Sequence, residues 1–493
     1  MDDERVAEHS IRHENRSQSL AEATPVNSAR GDLPGYVAFA VPVPIANRAP
    51  WFRDTFPTYF GIFLWVGFYL NLAGPTIGYA SLSTCVWGLL LAGFLAFALY
   101  YYVPAALGMQ TGYSLYVVGT STFGATGGYL MPGLLMGVLQ VGWVAVIASV
   151  AATFIAQGVG RSSRTLFVLI VVTWVYSLGW IALKGIHYVG KAAKFASWIP
   201  LMMIIIVFWA NRGGLSHYVP THNNSVAAVL NVITIVIGYF ATAGAAGADF
   251  GMSNRNRADV ALGGLGIIAG VVIGGGLAIS AVAGYLGRGA GPFAYEYPAA
   301  ISSVGALAPI MFFLFAAASI IPTCFSSFIA SNSFNTMLPR VPRSISTFLA
   351  LTASAVLAGT GVAGNLVGFF SIVGASFGPI CGAMAADYLL SGGEWSGPRR
   401  GINWAGYFAW AVGFLVGVAD HLPRLPATWK RADDPAVLYS FAAGFIVYAA
   451  FAISGLRPAV VKAYSGKFST GLFRDHAIDR VATQESSRGI SSI

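Results

Sequence analysis

The sequence predicts an all-α, polytopic membrane protein with about twelve transmembrane helices. Apolar stretches of about 20 residues, the length that crosses a bilayer, recur from about Thr55 to about Ser454. Hydrophobic residues are 56% of the 493-residue chain and charged residues only 10%, where a soluble domain carries about 25% charged. The 59 glycines and 23 prolines suit helices that pack closely and break at chosen points.

The spans run, to within a few residues, over 55–79, 83–107, 129–157, 165–183, 192–211, 226–248, 259–284, 299–331, 344–361, 364–391, 402–419 and 435–455. The first reads GIFLWVGFYLNLAGPTIGYA, with Asn71, Gly74 and Pro75 near its middle. Pro75 removes a backbone donor, which gives either a helix unwound near Phe68–Gly74 or a simple kink. Between the second and third spans lies a polar, Gly-rich link, Gly108 to Gly128, with room for a short re-entrant or surface segment. The third span carries LQVGWV, and Gln140 and Trp143, three apart, share a helix face. Gln offers a donor and an acceptor for the edge of a polar molecule, and Trp a flat face for stacking. The same pair equally serves helix contacts and space filling.

The sixth span, with Tyr239, Phe240, Thr242, Gly244 and Gly247, admits an unwound centre or close packing of small residues. Spans one and six correspond if the chain is two repeats of five helices. The eighth, FAAASIIPTCFSSFIASNSFN, puts Ser319 and Thr323 on one face, followed by Ser326 and Ser327. These hydroxyls either join carbonyls of the first span as ligands for a small cation or bond back to their own helix. The third and eighth spans are long enough to be tilted or broken. Asp249 and Asp387 stand at span ends, as caps or gate contacts.

An even number of spans places both ends on one side. Most of the 28 Lys and Arg residues lie in the tails and the loops on that side, which predicts cytoplasmic termini and an inner, plasma-membrane location. Residues 1–52 read as a disordered cytoplasmic tail, 53–455 as the transmembrane domain and 456–493 as a second cytoplasmic tail. The net charge of +9 follows from this asymmetry. No basic run interleaved with aromatics supports nucleic-acid binding. Cys85, Cys324 and Cys381 sit in apolar spans as small buried residues. The histidines (His9, His13, His187, His217, His222, His421 and His476) lie in tails and at span edges, so no catalytic cluster or cofactor site is expected. Asn223-Asn224-Ser225 forms a glycosylation-type triplet in a loop on the far side from the termini.

Several segments carry a collinear pattern. GMQTGYSLYVVGTSTFGATGGYLMPGLLMGVLQVGWV resembles the part of cytosine permeases that runs from a TG motif through an SFG-like turn to QVGW. ATAGAAGADF resembles their sixth helix. FFSIVGASFGPICGAMAADYLL, then GINWAGYFAWAVGFLVGV, resembles their tenth and eleventh. Over about residues 60 to 455 the chain thus resembles the purine/cytosine permease family of nucleobase:cation symporters.

The resemblance implies a leucine-transporter-like 5+5 inverted repeat plus two extra helices, alternating access, and a monomeric functional unit in the bilayer. It implies a nucleobase-like substrate contacted by Gln140, Trp143, Tyr239, Phe240, Thr242 and Ser319, with a planar base stacked between Trp143 and Phe240. The coupling ion it implies is Na+ or H+, with Thr323 and backbone near Phe68 and Asn71 as the sodium ligands. Ser319 stands where cytosine permeases carry Asn, and Pro322 where they carry the first of two adjacent Thr residues. An amino-acid or amine carrier on the same fold, and a transporter-like sensor, are the alternative readings.

Overall fold

The computed structural model describes residues 33–183, 198–289, 295–419 and 435–461. The expectations for residues 1–32 and 462–493, for His187 and His421, and for the first residues of the fifth span lie outside the described residues. The described residues are mainly helical. Among the described residues nine helices are long and apolar enough to cross a membrane, and a pair bent by 46° makes a tenth. The bent pair is α1 (Thr55–Ile62) and α2 (Val66–Ile77). There follow α3 (Leu82–Thr111), α4 (Gly127–Val159), α5 (Arg164–Leu183), α6 (Trp198–His217) and α7 (Ser225–Ala245). The short α8 (Gly247–Gly251) continues α7 past a break at Ala246. Then come α9 (Arg257–Leu286), a short α10 (Tyr297–Ser302), α11 (Gly305–Met337), α12 (Arg343–Thr360), α13 (Leu366–Leu390), α14 (Trp404–Gly417) and α15 (Ala436–Ile453).

The two remaining predicted spans are α12 and α14. α14 is short, at 14 residues. α12 has the length, and its polar face is buried. There Ser354 donates to Val141 O (2.8 Å), the Thr347 and Ser331 hydroxyls pair (2.7 Å), and the Thr352 hydroxyl pairs with Tyr176 (2.8 Å). Large apolar side chains such as Trp87, Phe94, Leu169 and Ile310 face outward, as a lipid-solvated surface requires. This is an integral, multi-pass membrane protein.

An internal repeat is visible in the helix lengths. Spans two and seven, α3 and α9, each have 30 residues and a π-turn, at Ala96–Tyr101 and Val271–Gly275. Spans three and eight, α4 and α11, each have 33 residues. α1 packs on α9 as α7 packs on α3, so each half lends its first helix to the second helix of the other. Five helices per half invert the halves across the membrane. α13, α14 and α15 pack together at the end of the chain.

The first span leaves the helix twice, at Phe63–Trp65 and again at Leu70–Ala73, the second inside the expected Phe68–Gly74. Trp65 is extended (φ −75°, ψ 132°) and ends the helical bonding of α1. Pro75 lies in the first turn of the helical piece Gly74–Ile77, where a missing N–H does no harm. In the sixth span, Gly238–Ala245 stay helical and the chain breaks only at Ala246. In α11 the helix falters at Ser319. Pro322 supplies no donor to the Ala318 carbonyl, and the Ser319 amide shortens its bond to Ala316 O (2.9 Å).

Ordered structure begins before the expected boundary at residue 53. Val37 is buried, and the Tyr36 hydroxyl donates to Ala125 O (2.6 Å). The Arg48 guanidinium donates to Met109 O (2.5 Å) and Asn254 O (3.4 Å), and Asn254 Nδ2 donates to the Thr55 hydroxyl (2.9 Å). The chain entering α1 is therefore held to the end of α3 and to the loop before α9. On the same face, Asp387 accepts from Tyr448 (2.7 Å) and Arg399 (3.3 Å), with Arg457 at 3.6 Å. Arg399 also donates to Ser121 O and Pro458 O. Residues 456–461, the loop before α14 and the Gly-rich link after α3 are thereby joined. That link holds two one-turn helices, Leu115–Val118 and Thr120–Phe123.

α9 meets α1 through glycines. A Cβ on Gly266, Gly270 or Gly274 would come within 2.8 Å of the carbonyl oxygens of Phe56, Phe60 and Phe63, respectively. Two predictions follow from this packing. Gly266→Ala, whose Cβ would sit 2.4 Å from Phe56 O, should destabilise by about 1–3 kcal/mol. Gly276→Ala on the same helix, with nothing within 4 Å, should be neutral or gain up to about 1 kcal/mol from helix propensity. Thermal unfolding of the detergent-purified variants, followed by size exclusion, reads both. Asp387→Ala leaves Arg399 buried without its counter-charge and should lose about 3–5 kcal/mol, seen as loss of the monodisperse peak.

Candidate functional site

The site is built around the break in the first span. A broken helix inside a bilayer must find other donors for its freed carbonyls, and aromatic side chains provide them. The Tyr239 hydroxyl, from α7, donates to Ile62 O (2.6 Å) at the end of α1. The Tyr69 hydroxyl donates to Leu64 O (2.5 Å) inside the break. Trp65, the extended residue itself, donates from Nε1 to Ser319 Oγ (2.8 Å) at the irregular turn of α11. Asn231 of α7 donates to Pro75 O (2.9 Å) farther along α2.

Around this break stands an aromatic cluster. Trp143 of α4 meets Tyr239 edge-on (centroids 5.4 Å, 87°) and Trp65 edge-on (6.4 Å, 68°). Trp65 is stacked on Tyr239 (6.3 Å, 20°). Phe369 and Phe370 of α13 close on Trp143 at 5.1 and 5.7 Å. Trp143 Nε1 donates to Thr242 Oγ1 (3.1 Å), which fixes the indole against α7. Gln140, one turn before Trp143, is buried and donates to the thioether of Met136 (3.6 Å). That is a weak acceptor, so the amide is held loosely.

The structure thus brings Gln140, Trp143, Tyr239, Thr242 and Ser319 to one region. Phe240 is fully buried beside it, against Phe63 (5.5 Å, stacked) and Tyr59 (5.7 Å). It is Tyr239 that meets Trp143. The expected cation ligands each have other partners. Thr323 donates to Ser319 O (2.7 Å) and accepts from Trp174 of α5 (2.9 Å). Phe68 is buried against Phe63 and Tyr239, and Asn71 lies half-buried in the turn after Tyr69. No group of three or more His, Cys, Asp or Glu residues suited to a metal ion occurs among the described residues. The three cysteines are buried and unpaired. Asp249 accepts from the Leu115 amide (3.4 Å), so α8 meets the Gly-rich link.

Trp65, Phe369 and Phe370 are site residues that the sequence reading did not single out. Two crevices of about 400 and 450 Å³ lie elsewhere, at Trp174, Leu178 and Ile320 and at Leu95, Phe441 and Phe445. Both are open and almost wholly apolar, as gaps between lipid-facing helices are.

Similarity to known proteins is confined to the fold. No family model matches the chain, and no curated protein matches it in sequence. Among solved structures it is similar to Mhp1, a nucleobase-cation-symport-1 family transporter, in a closed conformation with bromovinylhydantoin bound. The identity is 17% and the TM-score 0.65, over 86% of this chain and 97% of that one. The inward-facing conformation of Mhp1 gives 16% and 0.63, over 86% and 95%. A substrate-bound, outward-open Na+-coupled sialic acid symporter gives 12% and 0.55, over 84% and 92%.

Tyr239→Phe removes the donor to the buried Ile62 carbonyl and should lower stability by about 1–3 kcal/mol. A drop in the melting midpoint of purified protein, with the same elution volume, checks this. Together these findings make the chain an all-α polytopic protein with a nucleobase:cation symporter-like fold.

Proposed function

We propose that this protein is a secondary transporter that moves a nucleobase or related small planar heterocycle by symport with Na+ or H+ through alternating access. The observation that carries the reading is an uncharged aromatic site at a helix break, with Gln140, Thr242 and Ser319 as its hydrogen-bonding groups. Such a site suits a flat, neutral, polar cargo. The cargo stacks on Trp143, Gln140 reads its edge, and the Thr242 and Ser319 hydroxyls complete its bonds. Tyr239 and Phe240 close the other side once the break rearranges. The fold likeness to Mhp1, which is known with a hydantoin bound, supports this class of cargo.

The cation binds Thr323 and backbone oxygens near Phe68 and Asn71, the Thr323 oxygen using the lone pair that its bond from Trp174 leaves free. It acts by favouring one of the two access states. The protein works as a monomer in the plasma (inner) membrane, with both termini cytoplasmic.

Uptake of radiolabelled cytosine into proteoliposomes tests the reading, with inward Na+ or H+ gradients and with bases, hydantoins and amino acids as competitors. Saturable, gradient-driven uptake blocked by planar heterocycles is expected. Inhibition by amino acids alone points to the amino-acid carrier and overturns it. Trp143→Ala should lower uptake about 5- to 150-fold, the range that about 1–3 kcal/mol for stacking a base on an aromatic side chain gives, while the protein still reaches the membrane.

A further inference from the structure

Trp65 takes up the interactions that the proposed cargo would make. Its indole is a flat heterocycle with one N–H, and that N–H is donated to Ser319 Oγ (2.8 Å). Its ring stacks on Tyr239 and lies edge-on to Trp143. Only 5% of the residue is exposed. From these contacts we infer that Trp65 is an intramolecular stand-in for the cargo. Its indole fills the site in this closed arrangement, and it sets affinity and cargo size by competing for the same place. The inference rests on the transporter reading above.

A second observation shows that the sequence makes room for the indole in this position. A Cβ on Gly67 would lie 2.1 Å from Trp65 Cζ3 and 2.2 Å from Cη2. The ring folds back over its own chain two residues on, into space that exists only because residue 67 is glycine. Gly67 is in a helical turn without positive φ, so alanine suits its backbone. The atoms an added methyl meets are the far edge of the Trp65 ring. Gly67→Ala therefore displaces the indole while keeping the tryptophan.

The position of Trp65 links this competition to the transport cycle. It is the extended residue of the break, between helices bent by 46°. Any change in that bend moves its ring relative to Ser319 and Tyr239. A cargo that enters must take over the Ser319 hydroxyl and the Tyr239 face, and the apparent affinity falls by the fraction of time that the indole occupies them.

The test is equilibrium binding of radiolabelled cytosine, with a hydantoin and a bulkier benzyl-substituted hydantoin as competitors. It uses purified full-length wild type, Trp65→Ala and Gly67→Ala. Trp65→Phe, which keeps a ring and loses the N–H to Ser319, is a milder variant should alanine at 65 fail to fold. Gel filtration and melting midpoints establish folding. If the indole is seated about nine-tenths of the time, Trp65→Ala and Gly67→Ala each bind about tenfold more tightly, and the bulkier hydantoin gains more than the small one. Binding that is unchanged or weaker in both folded variants, with wild type still binding, overturns the inference and leaves the transporter reading standing. Absence of heterocycle binding in wild type and every folded variant overturns both.

Discussion

A helix that breaks inside a bilayer has no water to receive its freed backbone groups, and the rest of this molecule is arranged around one such break. At Phe63–Trp65 the carbonyls of Ile62 and Leu64 are met by the phenols of Tyr239 and Tyr69, and the indole of Trp65 reaches Ser319. Each donor ties a different element to the break: α7, the start of α2, and the faltering turn of α11. The helices that surround the site are held in register by the need to satisfy this one interruption. The chemistry follows from the same need, because the groups that satisfy the break are aromatic rings and hydroxyls, which are also what a flat, uncharged cargo requires.

A different constraint governs the face that carries the chain ends. There a buried carboxylate, Asp387, is compensated by Arg399 and Arg457 and bonded by Tyr448. Burying charges is tolerated only where they are matched. Matching them here draws together the Gly-rich link after α3, the loop before α14 and the strap after α15. The entry to α1 is fastened differently, mostly through backbone groups: Val43 and Ala49 donate to Gly112 O and Ser253 O, the Trp51 amide to Asp259, and Arg48 to Met109 O.

Much of the architecture was legible in the sequence because the bilayer imposes a simple rule on length and polarity. The sixth span, read as 226–248, is the helix Ser225–Ala245. What escaped the sequence depends on neighbours. Pro75 drew attention to Phe68–Gly74, where the helix is interrupted at Leu70–Ala73, but no proline or glycine stands at Phe63–Trp65 to announce the other break. Tyr239 and Phe240 are adjacent, about 100° apart around a helix. Which of them faces Trp143 depends on the rotation of α7, and no single sequence states that. Trp65, Phe369 and Phe370 look in sequence like outward-facing aromatics such as Trp87. Gln140, Trp143, Thr242 and Ser319 were legible because polar groups or an indole beside a glutamine stand out in an apolar span. Thr323 stood out for the same reason, and its hydroxyl turns to Trp174 on α5.

The glycines of α9 give α1 an unusual neighbour. Where helices pack knob into groove, relative movement forces side chains out of their rotamers, and each step is resisted. Gly266, Gly270 and Gly274 present no knobs, and carbonyls of the first span rest directly on the backbone of α9. Contacts of this kind are weak and closely alike from one position to the next. What fixes the register of the two helices is therefore their polar end, where the Trp51 amide bonds Asp259 and Thr55 pairs with Asn254: the glycine seam is a smooth rail and that end is its stop.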